Sequence, residues 1–320
     1  MKHAVLIMAH KNKEQLKRLI RSLDCDEFDF FVHLDKHWKL TAEELQGIQT
    51  SAKNVYIIKK RIHGELDKWS LPQISLNLID SVLEKEKSTG MAYQYFLLLS
   101  GQDYPIKSKQ YIVDFLQTQY PKPLVDVNEY QPRNWVSKKF ELVRWMNKID
   151  EVHKKMKPSL WRKCKVAFYV LAEKWEKTFK GSPYERLQNY KINLYGGSQW
   201  WILPHEVIDF VEGQKKKNKN MINVFKNVWT PDEIFFQTMT MNSPLKEQVN
   251  PNDDIFDDKY QKCMTYANFI TPTKGFRGHP HDITVEDFDR IMGKKALFAR
   301  KFNEDTDKQV LDMIDERIKG

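Results

Sequence analysis

Cysteine is scarce in this chain: Cys25, Cys164 and Cys263 are far apart and odd in number among 320 residues. Such usage excludes a disulfide framework and a cysteine-built metal cluster, and a reducing cytoplasm is its simplest setting. No apolar run reaches the about 18 residues of a membrane-crossing helix. Met1–Met8 passes straight into a helix pattern without a cleavage-site signature, so it reads as a buried first strand rather than a signal peptide. Gly-x-Gly-x-x-Gly, the phosphate-binding P-loop and the Gly-x-Ser-x-Gly nucleophile elbow are all missing. So are internal repeats and low-complexity tracts. Asp-x-Asp occurs as Asp24-Cys25-Asp26, Asp287-Phe288-Asp289 and Asp305-Thr306-Asp307. The first precedes its strand and the others fall in stretches read as helical, so none suits a nucleotide-bound Mg²⁺. His279-Pro280-His281 offers two imidazoles without a third ligand at a recognised spacing. No metal and no resident cofactor are expected.

What is present is a soluble globular composition, 41% hydrophobic and 30% charged, long enough for one large or two modest domains. The net charge of +9 predicts anionic company: nucleotide phosphates, nucleic acid or an acidic membrane surface. The first half alternates strand and helix signals. Apolar runs at Ala4–Ala9, Phe28–Leu34, Val55–Lys59 and Tyr95–Leu99 read as strands. Asn12 with Gln15 three residues on reads as a capping box opening a helix. Leu71–Lys87 carries Ile74, Leu78, Ile79 and Val82 at helical spacing, and Ser108 caps a further helix. This alternation predicts an α/β fold, a mostly parallel central sheet flanked by helices. Ligands in such sheets bind beyond the carboxyl ends of the strands, where His10, Asp35, Ser100 and Asp103 fall.

Arg144–Lys191 breaks the pattern, being helical in propensity and rich in lysine and tryptophan. Two readings stay open for it: an amphipathic helix against a membrane or partner, or a helical hairpin packed on the main domain. The α/β signal returns at Tyr195–Leu203. Thr230-Pro231-Asp232-Glu233 then opens the run Ile234-Phe235-Phe236 as a helix N-terminus, with Glu233 in its first turn. A carboxylate so placed can act as a general base; the same tetrad is also a capping box, with Glu233 reaching back to the N-cap N–H. Trp200 and Trp201 alternate along a strand, so at most one faces a cleft, where it can stack on a sugar, the other being core. Asp35 reads either as a nucleoside contact or as a solvated strand-end acid.

Several segments, in this order, carry a resemblance: Ile7-Met8-Ala9-His10-Lys11, Val32-His33-Leu34-Asp35, Leu99-Ser100-Gly101-Gln102-Asp103-Tyr104-Pro105-Ile106-Lys107, Gly197-Ser198-Gln199-Trp200-Trp201, Thr230-Pro231-Asp232-Glu233 and Leu297-Phe298-Ala299-Arg300-Lys301-Phe302. Together they resemble the core-2/I-branching β-1,6-N-acetylglucosaminyltransferases and the related peptide O-xylosyltransferases. The resemblance implies a variant GT-A nucleotide-sugar fold, inversion at the anomeric carbon and no metal. It implies Glu233 as catalytic base and Lys301 as the diphosphate cation, beside Arg300. Arg277, then His279, is the candidate for a second phosphate contact. His10, Asp35, Ser100 and Asp103 would serve the donor, and Asp126, Arg133 and Trp200 the acceptor. One glycosyltransferase domain over 1–320 is expected, with a nucleotide-sugar half at 1–128, a basic helical insert at 144–191, an acceptor and catalytic half at 192–302 and a terminal helix at 303–320.

The expected partners are a UDP-sugar, UDP-N-acetylglucosamine first and UDP-xylose next, and a glycan or lipid-linked glycan. The setting is cytoplasmic, with peripheral contact to an anionic membrane, in surface polysaccharide or oligosaccharide synthesis. Two other classes compete: a carbohydrate-binding protein without turnover, and a nucleic-acid binder. The second lacks any recognisable module, and its cations cluster in one insert. No nucleic-acid partner is expected.

Overall fold

The computed structural model describes residues 1–140, 144–249, 254–256, 262–269 and 280–319. In chain order the strands are β1 (His3–Ala9), β2 (Phe28–Leu34), β3 (Val55–Ile57), β4 (Tyr95–Ser100), β5 (Tyr104–Pro105), β6 (Asn128–Glu129), β7 (Tyr195–Gly196), β8 (Ile202–Pro204), β9 (Thr265–Ala267) and β10 (Phe298–Arg300). The helices are α1 (Lys13–Ser22), α2 (Ala42–Gln49), α3 (Ser70–Thr89), α4 (Lys109–Gln119), α5 (Trp135–Lys139), α6 (Arg144–Lys155), α7 (Leu160–Lys180), α8 (Pro183–Gln188), α9 (His205–Lys217), α10 (Lys219–Phe225), α11 (Phe235–Thr240), α12 (Phe288–Met292) and α13 (Gln309–Ile318).

β1, β2 and β4 are buried along their whole length because both faces of their sheet are covered, and they are mostly apolar, with His3, Asp29, His33 and Ser100 the exceptions. The sheet runs β3-β2-β1-β4-β8 and is parallel except for β8, which lies antiparallel on β4. Side chains alternate across it. Val5 and Ile7 point into a core with Leu16 and Leu19 of α1, Ile112 of α4 and Ile314 of α13. Ala4 and Leu6 point into the other, with Leu78 of α3, Val207 of α9 and Phe235 of α11. The expected α/β architecture, a mainly parallel sheet between helical layers, is therefore what the chain adopts.

Local expectations fail in instructive places. Tyr195–Leu203 is two short strands, β7 and β8, with a strap between them that carries site residues. Asn12 is the N-cap of α1 in the left-handed region, with no side-chain cap bond. Its supposed capping partner Gln15 is fully buried instead. The Gln15 amide donates to the Gly101 carbonyl at 3.1 Å and the Phe302 carbonyl at 3.0 Å, and its Oε1 accepts from Glu304 N. Asp305 and Asp307 lie in a turn rather than a helix.

A second sheet, β5-β10-β9, stands at the carboxyl end of the first, with β10 parallel to β9 and antiparallel to β5. Helix α13 clamps it. The Tyr104 hydroxyl of β5 donates to Asp315 at 2.6 Å, and Arg18 of α1 donates two bonds to the same carboxylate. Together these contacts fix β10, whose last residue is Arg300.

Candidate active site

The chemistry converges on a cavity of about 320 Å³ lined by Asp126, Trp200, Glu233, Cys263, Arg300 and Lys301, among others. Its size suits a small-molecule site. Three elements meet there: the strap before β8, the turn before α11 and the end of β10.

The strap is built around close approach. Gly197 N donates to the Glu233 carbonyl at 2.8 Å, and Ser198 N donates to Asp126 Oδ2 at 3.1 Å. A Cβ on Gly197 would lie 1.9 Å from the Asp126 carbonyl oxygen, so only glycine allows the strap to touch both acidic segments. Gln237, fully buried in α11, donates to the Ser198 carbonyl from below. The Asp126 carboxylate and the Glu233 main chain are thereby tied to one piece of backbone.

Glu233 ends a 3-10 turn, Pro231–Glu233, rather than standing in the first turn of an α-helix; α11 begins two residues later. The capping-box reading is corrected here. Thr230 has φ 44° and ψ 59°, a left-handed conformation costly for a β-branched residue, and its side chain makes no cap bond. The Thr230 hydroxyl is buried without a partner among the described residues. Glu233 is one of the residues lining the cavity.

Asp126 is buried, and that burial raises its carboxyl above the usual range, opposed by the Ser198 N–H and by Lys262 and raised further by Glu233. Cys263 beside it is pushed up to about 11 by burial and by Asp126, so it is an unreactive thiol.

The cationic side is layered. The Arg300 guanidinium stacks 3.9 Å from the ring centre of Trp200. Its Nε stands 3.4 Å from Asp103, an ion pair without hydrogen-bond geometry. Burial pushes Asp103 up, while Arg300 and two bonds from Ser100, N–H at 2.8 Å and hydroxyl at 2.7 Å, hold it down. Lys301 is half-buried and makes no ion pair among the described residues. Burial and the charges of Arg300 and Lys11 lower its ammonium, as expected where cations gather with too few anions. Its backbone is pinned on both sides, Ile283 N donating to the Lys301 carbonyl at 2.7 Å and Phe302 N to the Gln102 carbonyl at 2.8 Å.

The remaining expected residues divide. Trp200 lines the cavity, while Trp201 is core and packs on Phe236 at 4.8 Å between ring centres, as alternation predicts. Ser100 and Asp103 do not line the cavity; Asp103 is fully buried and holds Arg300 from behind, a positioning residue rather than a donor contact. Arg133 is exposed in a left-handed turn before α5 and does not line it either. His10 and Asp35 stand outside the lining, at the ends of β1 and β2. His10 is lowered by burial and Lys11, with Asp35 and Lys301 acting on it in opposite senses. Arg277 and His279 lie outside the described residues. The positioning roles of Gln15, Gly197, Ser198 and Gln237 do not follow from the sequence, where Gly197-Ser198 enters only in a motif of the resemblance.

Among the described residues, Asp35, His37 and His63 form one group that could hold a metal ion, with ligand atoms within 4.8 Å of one another. The Asp35 carboxylate of this group is engaged by hydrogen bonds. Asp35 accepts from His37 N and Gly64 N, each at 2.8 Å, and meets His63 Nδ1 at 3.0 Å. Burial alone would raise Asp35, but these donors outweigh it and the carboxyl is lowered. The group reads as a hydrogen-bonded cluster that holds Asp35 ionised.

The model of the core-2/I-branching enzyme family matches residues 4–292, and the chain belongs to that family. Curated relatives include xylosyltransferase 2 of Rattus norvegicus, 23% identical over 99% of this chain and 33% of that protein. Xylosyltransferase oxt of Drosophila melanogaster is 21% identical over 96% and 32%. The chain thus spans about a third of the length of these relatives. Among solved structures, apo mouse xyloside xylosyltransferase 1 aligns over 93% of this chain and 97% of that one, with 8% identity and a TM-score of 0.33. Residues 1–349 of S. aureus TarS in complex with UDP align over 46% and 43%, with 14% identity and a TM-score of 0.26.

Proposed function

We propose that the chain is an inverting, metal-independent glycosyltransferase that moves a sugar from a UDP-sugar to a hydroxyl of a glycan acceptor. The observation that carries this reading is one cavity lined by Glu233 together with Arg300 and Lys301. The acceptor oxygen attacks C1 of the donor sugar as Glu233 takes the hydroxyl proton. The C1–O bond to the diphosphate breaks on the opposite face, and its electron pair leaves on the β-phosphate oxygen. Lys301 offsets that charge directly, and Arg300, held by Asp103 and Trp200, adds a fixed positive field. Two cations in a half-buried site supply the stabilisation that a divalent ion gives elsewhere.

N-acetylglucosamine is the first reading for the sugar. Xylose is the second, favoured by the names of the curated relatives. A role in surface polysaccharide or lipid-linked oligosaccharide synthesis fits the same chemistry. The test is a thermal-shift screen of UDP-sugars with and without EDTA, followed by transfer with the best donor. A donor should raise Tm by mass action, and equally in EDTA. A Tm shift or turnover that EDTA abolishes and Mn²⁺ restores would refute the metal-free mechanism.

A further inference from the structure

α6 and α7 pack together as a hairpin, and the outer face of α7 is apolar. Trp161 is 68% exposed, Phe168 61%, Leu171 65%, Trp175 55% and Phe179 71%. At about 100° per residue these side chains, with Leu160 and Cys164, share an arc of roughly 100°. The opposite face carries Glu176, buried, which accepts bonds from the Trp145 indole at 2.7 Å and from Arg186 at 3.3 Å. The stripe therefore points away from the body of the protein. A patch of this kind on a soluble protein marks an interaction surface.

Its borders are cationic. Lys163 and Lys174 flank one side of the stripe and Lys165 the other, all exposed, with Lys180 at the end. The acids of α7 are already used: Glu176 within the hairpin and Glu173 by Lys177 at 2.7 Å. Aromatic groups along one face with exposed lysines beside them match an interfacial helix. The charge also argues against a second copy of a chain of net charge +9, whose lysines would meet lysines. No described helix is long and apolar enough to cross a membrane, so the contact would be peripheral.

We infer that the outer face of α7 seats on an anionic lipid surface, lying in the plane of the headgroups with Trp161, Phe168 and Trp175 inserted. α6 faces the segment Glu65–Lys68 across a cleft of about 490 Å³, and Leu66 and Asp67 of that segment line the catalytic cavity. Seating α7 brings the cavity beside the membrane, where an acceptor carried on a lipid would be presented.

The test is co-sedimentation of the full chain with phosphatidylcholine vesicles, with or without phosphatidylglycerol. Binding should require the anionic lipid and weaken in about 0.5 M salt, where the Debye length falls to about 4 Å. The variant Trp161→Ser/Phe168→Ser/Trp175→Ser should bind roughly tenfold or more weakly. It should keep the wild-type Tm and transfer to a soluble acceptor, since these side chains touch neither core nor cavity. Lys163→Glu/Lys165→Glu/Lys174→Glu should lose the preference for anionic lipid. Absence of binding, equal binding to neutral vesicles or unchanged binding of the serine variant would overturn the inference. So would a wild-type dimer, seen by sedimentation velocity, that the serine variant dissolves, because a second copy would then cover the stripe. Transfer activity is read separately, so failure here leaves the catalytic reading standing.

Discussion

Replacing Gly197 by alanine should damage both stability and turnover, by amounts the geometry sets. The new Cβ would meet the Asp126 carbonyl oxygen at 1.9 Å and its carbon at 2.6 Å, whereas real Cβ atoms stay beyond 3.0 Å. The backbones must separate by about 1 Å, and neither is a flexible side-chain end that can swing away. Overpacking of this kind costs about 3 kcal/mol. With unfolding entropy of about 2.1 cal/mol/K per residue, that lowers Tm by roughly 4–5 °C. The same displacement strains the bonds from Gly197 N to the Glu233 carbonyl and from Ser198 N to Asp126. A misplacement near 1 Å in the reacting constellation costs on the order of 10²-fold in rate. Paired thermal melts and transfer assays would measure both effects. Gly213→Ala is the control: a Cβ there meets nothing within 4 Å, so that variant should melt no lower than wild type. If Gly197→Ala melts and transfers like wild type, the strap does not position Glu233 and the account of the site is wrong.

Glu233→Gln should leave Tm nearly unchanged, because no capping box depends on the carboxylate, while transfer falls roughly 10²–10⁴-fold; near-normal transfer would move the base to Asp126 or Asp232, which share the cavity. Lys301→Ala should cost roughly 10²-fold in kcat/KM and weaken UDP binding by calorimetry, and unchanged kinetics would leave Arg300 as the working cation. Stability should decline on both sides of neutrality. His3 and His33 are held neutral to about 4 by burial, so their contribution is complete above the unfolded pKa near 6.5 and is lost as pH falls from there toward 4. His205 is raised to about 8, chiefly by Glu86, so its contribution is complete below 6.5 and is lost as pH rises through 8, about 1 kcal/mol after allowance for solvent screening. Melts between about pH 4 and 9 should show both limbs, with His205→Gln flattening the alkaline one.

Periodicity carried most of the fold. Strands buried on both faces are mostly apolar, and β1, β2 and β4 are visible as such runs, with α3 between them by its Ile74, Leu78, Ile79 and Val82 spacing. Of the site, the sequence disclosed residues whose chemistry is local: Glu233 after proline, Trp200 beside Trp201, and Arg300-Lys301 at the end of a short apolar run. It misled where a pattern had a tertiary competitor. Asn12 and Gln15 have capping spacing, yet Gln15 is drawn into the core by carbonyls 86 and 287 residues away. Asp103 reads as a strand-end ligand, but its depth and its pairing with Arg300 depend on a β-ladder formed with residues almost two hundred positions later. Gly197 stands in one of the resembling motifs, but that it abuts Asp126 could not be read from either segment alone.

The Gln15 bridge has a consequence for synthesis in the cell. A chain grows at roughly 5–20 residues per second, so about 15–60 s separate the appearance of Gln15 from that of Phe302. During that interval β1, β2, β3, β4 and the Glu233 turn can all assemble, since each lies earlier in the chain. The wall bearing Arg300 and Lys301 cannot. A ribosome stalled before Arg300 is added would therefore hold a nascent protein with the acidic half of its cavity formed and the cationic half missing, and premature termination there would release a product that folds in part around an incomplete cavity.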